Sequence, residues 1–220
     1  TVLDLALVGR ICKQHQAYFH SDTIQSIGKT KFDLQELSID FLVASAHKFH
    51  GPKGVGFVFI RKGLLMNPLL FGGEQEKGLR PGTESIHNIA GMAKALEISD
   101  INLEANQKYI QDLKSYSITQ FLKHFPDFKI NGNPNGFYNI INVQLPFSED
   151  KTAMILFHLD MKGIAVSRGS ACQSGSIKAS HVLAEILNVD DLKKPSLRIS
   201  FSHQNTTADI DYLIEALKSI

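Results

Sequence analysis

The sequence predicts an α/β fold in two parts, a mainly parallel sheet with helices over residues 1–103 and a smaller α+β part over residues 104–220. Three observations carry this expectation. Helix-period and strand-period segments alternate ahead of Arg61, three apolar strand-like runs lie close together there, and a long helical connector separates them from a second series of strands and helices past Leu103.

Val2, Leu5, Val8 and Ile11-Cys12 recur at helical spacing, and residues 17–20 then read as a short buried strand. Asp22 follows that strand, with Gln25 after it and Gly28 closing the turn. Polar groups placed there line the crevice at the carboxyl ends of a parallel sheet. Leu34 and Leu37 mark a short turn before a second strand, residues 39–44, which ends at Ser45. Residues 54–60 predict a third strand, closed by Arg61-Lys62-Gly63. Three apolar runs this close together indicate a buried sheet.

From Leu64 to Thr83 the pattern dissolves into glycines and charges, a segment too long for a simple connector and of the kind that carries function. Helical periodicity returns at Ile86, Ile89, Met92, Ala93 and Leu96, and again at Tyr109, Leu113, Ile118 and Leu122, which predicts two long helices. Beyond them the expected order is strand 138–145, helix 150–160, strand 164–166, helix 180–187, strand 197–201 and helix 209–217. There is no internal repeat and no low-complexity segment.

Composition narrows the function classes. The 23 Lys and Arg nearly cancel the 22 Asp and Glu, so no basic excess points to nucleic acid or an anionic membrane, and the expected ligand is small. Two cysteines, Cys12 and Cys172, exclude a disulfide framework and fit a reducing compartment. No apolar run has the length of a membrane span, and the first residues do not resemble a secretory signal, which reads as cytoplasmic. The chain opens without Met, inside a helical pattern, and reads as the later part of a longer protein.

Ser45-Ala46-His47-Lys48 carries the first chemistry. A lysine that ends an apolar run and leads into Gly51-Pro52-Lys53-Gly54 sits at the mouth of a strand, where its amine is partly desolvated and more easily neutral. A neutral lysine amine forms a Schiff base with a carbonyl cofactor, and Ser45 and His47 on the same turn can donate hydrogen bonds to a phosphate. Together these suggest pyridoxal phosphate; alone, Lys48 is equally an ordinary solvated lysine. Asp22 supplies a carboxylate able to keep the cofactor's ring nitrogen protonated, and Gln25 a donor for its ring oxygen. By itself Asp22 also suits a turn or cap.

Cys172 lies in the polar stretch Ser167-Arg168-Gly169-Ser170-Ala171-Cys172-Gln173-Ser174-Gly175-Ser176, an accessible setting that reads as a mobile nucleophile or as a surface thiol. The loop has little apolar area to pin it, so motion is expected between about residues 168 and 177. Cys12, inside a helical pattern, reads as packing. Arg198 interrupts the apolar alternation of Ser196-Leu197-Arg198-Ile199, and suits a bidentate pair with an amino-acid carboxylate.

Asp22-Thr23-Ile24-Gln25, Ser45-Ala46-His47-Lys48 with Gly51-Pro52-Lys53-Gly54, Arg80-Pro81-Gly82-Thr83, the Gly169-Ser170-Ala171-Cys172 loop and Ser196-Leu197-Arg198 together resemble the NifS/IscS-like cysteine desulfurases of the class V aminotransferase group. Order and spacing match across essentially the whole chain, without the amino-terminal part of that family's pattern. The resemblance implies the carboxyl-terminal half of a pyridoxal-phosphate transferase large domain followed by the small domain with the cysteine loop. It implies that Lys48 forms the Schiff base and shuttles protons, that Asp22 and Gln25 contact the ring, and that Ser45 and His47 bind the phosphate. It further implies that Thr83 reaches the phosphate of a neighbouring subunit's cofactor in a homodimer, and that Arg198 holds the substrate carboxylate. Cys172 would take the sulfur of L-cysteine as a persulfide and leave L-alanine. The sulfur would then pass to an iron–sulfur scaffold or a tRNA-thiolation protein. No metal, direct nucleic-acid contact or membrane contact is expected. Other expectations are another class V enzyme, a selenocysteine lyase or an aminotransferase, neither of which needs Cys172, and a catalytically silent partner-binding fragment.

Overall fold

A computed structural model describes residues 2–168 and 180–220. The chain divides into two compact units, one spanning Leu3–Leu103 and the other built on Glu104–Ile220.

The first unit begins with α1 (Leu5–Gln14), whose N-cap Asp4 accepts the Leu7 N–H at 2.9 Å. Leu5, Val8 and Cys12 face the core, while Leu7 and Ile11 stay exposed. The next strand differs from the expected 17–20: β1 spans His20–Asp22, so Asp22 is the strand's last residue. Hydrophobicity picked the wrong register because Tyr18 is exposed and Phe19 is the run's buried anchor. Pairing sets the limits instead. The Phe19 N–H donates to the Asp40 carboxylate at 2.8 Å, and β1 runs parallel to β2 (Phe41–Ser45), with His20 opposite Phe41 and Asp22 opposite Val43.

β3 (Gly56–Ile60) pairs with β2 in the antiparallel sense, Phe41 opposite Ile60 and Ser45 opposite Gly56. The expected mainly parallel sheet is therefore corrected for the described strands: this sheet has order β1-β2-β3 with one pair of each kind. A parallel return would need a crossover of a dozen or more residues, and the β2–β3 connection spans only Ala46 to Val55. β3 is also half open, with Val58 exposed, rather than fully buried. Phe19, Ile27, Ile39, Leu42, Ala44, Ala46 and Phe49 form the core. Met92, Ala95 and Leu96 of α2 (Ile86–Ile101) pack on it, whereas Ile86 at the head of the expected stripe is exposed.

In the second unit α3 (Leu103–His124) lays Ile110, Leu113 and Phe121 on a core shared with α4 (Glu149–Asp160) and α7 (Thr207–Lys218). A capping box of Thr206 and Asp209 starts α7, whose Ile210, Leu213, Ile214 and Leu217 keep the helical stripe. The sheet is antiparallel, β4 (Lys129–Ile130), β5 (Ile140–Gln144) and β6 (Ser196–Ser200). Ile141, Val143, Leu197 and Ile199 alternate onto the core face.

Two local expectations are corrected here. Residues 164–166 are not a strand: the Ile164 N–H closes back on Leu159 O after Gly163, and only Ser167 bridges to Arg198. The helix expected over 180–187 is the single turn α5 (His181–Ala184), capped by Ser180 and followed by α6 (Val189–Lys193), which periodicity did not reveal. β4 was also missed, because two residues carry no periodicity of their own. Among the described residues no helix is long and apolar enough to cross a membrane.

Candidate active site

The site grows from the carboxyl ends of β1 and β2. Two parallel neighbours end on the same edge of a sheet, and that edge opens into a crevice. Asp22 closes β1, and its Oδ1 accepts the Ile24 N–H at 3.0 Å, which fixes the carboxylate at the start of the following turn. Thr23, fully buried, donates its hydroxyl to Val43 O at 2.6 Å and so ties that turn to β2. Thr23 O in turn accepts the N–H groups of Ser26 and Ile27, which places exposed Gln25 on the same turn as Asp22.

β2 ends at Ser45 and passes into a 3₁₀ turn, Ala46–Phe49. Ala46 and Phe49 are buried anchors, so the intervening His47 and Lys48 are turned away from the core, the first exposed and the second half-buried. The Ala46 N–H donates to Val55 O, the Gly51 N–H donates to Ala46 O, and His50 takes a left-handed φ of 66°. These bonds hold the lysine-bearing turn in one shape.

Ser45 Oγ and His47 Nδ1 lie 2.9 Å apart in a hydrogen bond. With the proton on Nδ1, the ring donates to Ser45 Oγ and leaves the serine O–H free for an anion. Lys29 adds a cation nearby: burial pushes its ammonium below the ordinary lysine range, and the positive charge of Lys48 pushes it the same way. The donor set is thus one carboxylate, one lysine amine, a serine–histidine pair and a second ammonium. It suits a ligand with a basic ring nitrogen, a carbonyl and a phosphate.

Gly28 couples the two turns. Its φ is +73°, and a Cβ there would sit 2.7 Å from Phe49 Cβ. Left-handed backbone costs a non-glycine residue about 1–2 kcal/mol before any clash. Gly28→Ala is therefore expected to destabilise the fold by at least about 2 kcal/mol and, by displacing Phe49, to weaken ligand binding at Lys48. Urea denaturation and cofactor titration of the same variant check both effects, and no change in either removes this coupling.

The remaining predicted residues stand elsewhere in the chain. Thr83 is exposed in the coil ahead of α2, after a 3₁₀ turn, Gln75–Gly78, that holds Glu76 and Lys77 at left-handed φ values of 51° and 59°. Arg198, in the second unit, is half-buried in β6, in register with Asn142 and bridged through its backbone to Ser167. Cys172 and the expected motion of its loop lie outside the described residues. Among the described residues no cluster of His, Cys, Asp and Glu is placed to hold a metal ion. Two residues given no role by the sequence, Thr23, which stands within the Asp22–Gln25 motif, and Lys29, belong to the Asp22 turn. Their only signal in the sequence is their place in the run from Asp22 to Thr30.

A lysine on a hydrogen-bonded turn at one strand's end, with a carboxylate ending the parallel neighbour, defines the class as an α/β protein with its candidate site at the strand ends. The comparisons sharpen this. The chain matches Aminotransferase class-V over residues 1–213 and belongs to that family. It is 38% identical over 221 residues to a cysteine desulfurase IscS of Dictyoglomus turgidum, a match that covers all of this chain and 56% of that protein. It is likewise 38% identical to a cysteine desulfurase IscS of Methanosarcina thermophila, covering all of this chain and 54% of the relative. The crystal structure of a NifS-like protein from Rickettsia africae superposes with a TM-score of 0.83 at 31% identity, over 98% of this chain and 56% of that one. The chain spans about half the length of the curated relatives it matches.

Proposed function

We propose that this chain carries the lysine, acidic and cysteine elements of a pyridoxal-phosphate-dependent cysteine desulfurase. The observation that carries the reading is the placement of Asp22 and Lys48 at the ends of adjacent parallel strands, in a chain whose matches along its whole length, to about half of each relative, are named cysteine desulfurases. Bound pyridoxal phosphate supplies an electron sink for charge developing at the substrate α-carbon. Lys48 holds the cofactor through its amine and moves the α-proton at Nζ. Asp22 keeps the ring nitrogen protonated, Gln25 donates to the ring oxygen, and Ser45 and His47 donate to the phosphate. Arg198 pairs with the carboxylate of L-cysteine.

Cys172 accepts the sulfur. The Cys172 thiolate bonds to the sulfur of L-cysteine as the carbon–sulfur bond breaks, and the electron pair of that bond goes with the carbon. The carbon takes up a proton equal to the one Cys172 lost and leaves as L-alanine, so the exchange needs no external oxidant or reductant. The persulfide then serves a sulfur-acceptor protein, an iron–sulfur scaffold or a tRNA-thiolation protein. Thr83 serves a second copy's phosphate in a homodimer. Exposed Leu65, Leu69 and Phe71, just upstream of it, support an interface of that kind.

Cys172→Ala tests the assignment. Persulfide and sulfide formation from L-cysteine is expected to fall at least about a hundredfold while the cofactor is retained. Undiminished formation would assign the chain to a class V chemistry that needs no thiol.

A further inference from the structure

We propose that Lys29 is a positioning residue of the cofactor site, holding the Gln25 side chain so that its amide N–H₂ is the end offered to the cofactor's ring oxygen. This rests on the cofactor reading above.

Lys29 Nζ stands 3.5 Å from Gln25 Oε1, four residues back on the same turn, a charge–dipole contact at the long end of hydrogen bonding. An ammonium has donors only, so the amide end that faces it must be the oxygen. Without that neighbour an exposed glutamine amide is free to rotate, and half its orientations present an acceptor where a donor is needed.

The turn that carries both residues is rigid. Ser26 O accepts the N–H groups of Lys29 and Thr30 and the Thr30 hydroxyl, Thr23 O accepts those of Ser26 and Ile27, and Gly28 abuts Phe49. Lys29 is thereby half-buried beside the lysine-bearing turn. The fall in its pKa from burial, with the Lys48 charge as the second cause, places the two cations within electrostatic reach of one another. A half-buried cation in that setting requires a facing dipole or anion. Gln25 Oε1 is one such dipole, and a bound cofactor would meet the donor end of the same amide with its ring oxygen.

The test compares the wild-type protein with K29M, K29R and Q25A, reading pyridoxal phosphate affinity and the visible absorption of the bound cofactor. K29M is expected to weaken binding about threefold to tenfold and to shift the band. K29R is expected to stay within about twofold of the wild type, because the guanidinium is also a pure donor. In the Q25A background the K29M effect is expected to vanish, since Lys29 acts through that amide. Equal K29M losses in both backgrounds, or K29M with wild-type affinity and band, overturn the inference alone. A wild-type protein that binds no pyridoxal phosphate overturns the cofactor reading and this inference together. K29Q carries the same comparison if K29M does not fold.

Discussion

Lys48→Ala is expected to abolish the visible band that the protein forms with pyridoxal phosphate and to lower turnover of L-cysteine at least about a thousandfold. The fold is expected to survive it. Ala46 and Phe49 anchor the turn at 0% and 1% exposure, and Lys48 is only half-buried between them, so truncation leaves the backbone and its bonds to Val55 and Gly51 in place. A surface-side substitution of this kind shifts stability by about 0.5 kcal/mol or less. Cofactor binding should weaken without disappearing, because Asp22, Gln25, Ser45 and His47 remain. A small added amine such as methylamine is expected to restore part of the rate by entering the vacated space. Spectrophotometric titration alongside a cysteine-turnover assay decides the matter, and an unchanged band would remove Lys48 from the chemistry.

The second large effect is structural. Arg61→Met is expected to destabilise the protein by about 3 kcal/mol. The Arg61 guanidinium reaches back across the sheet edge, with Nε donating to Ile39 O at 2.6 Å and Nη2 donating to Leu37 O at 2.7 Å and Leu34 O at 3.0 Å. It also stands 5.7 Å from the centroid of the Phe59 ring. Three carbonyls in the turn that leads into β2 accept from this one side chain, Leu37 O also accepting the Ile39 N–H at 2.9 Å, and Ile39 is fully buried. Methionine keeps the length and loses every donor, so the Leu34 and Ile39 carbonyls lose this partner and Leu37 O keeps the Ile39 N–H. Lysine is expected to recover about half of the loss, because an ammonium cannot fork to three acceptors spread over Leu34, Leu37 and Ile39. Urea denaturation of the three proteins measures this, and an Arg61→Met variant within about 0.5 kcal/mol of the wild type would show the fork to be redundant.

Helices and the lysine motif were legible in the sequence because what makes them is local. Ile210, Leu213, Ile214 and Leu217 define α7 without reference to any other segment, and Thr206 with Asp209 writes its start. Ser45 to Lys48 is contiguous, so one run of residues carries the proposed phosphate donors and the amine together. Asp22 was legible as a partner because one strand-turn-strand unit separates it from Lys48.

Strands were legible as runs but not as pairings. Their bonds go to residues far along the chain, so hydrophobicity located Phe19 and Ile164 without determining what they pair with. Only the tertiary structure decided that Asp22 lies within β1 opposite Val43, that β3 returns antiparallel, and that residues 164–166 form no strand while the next residue, Ser167, bridges to Arg198. It also brought Thr23 and Lys29 to their partners. A threonine and a lysine in a polar turn are unremarkable in sequence, and their significance comes from the Val43 carbonyl and the Gln25 amide that folding brings to them.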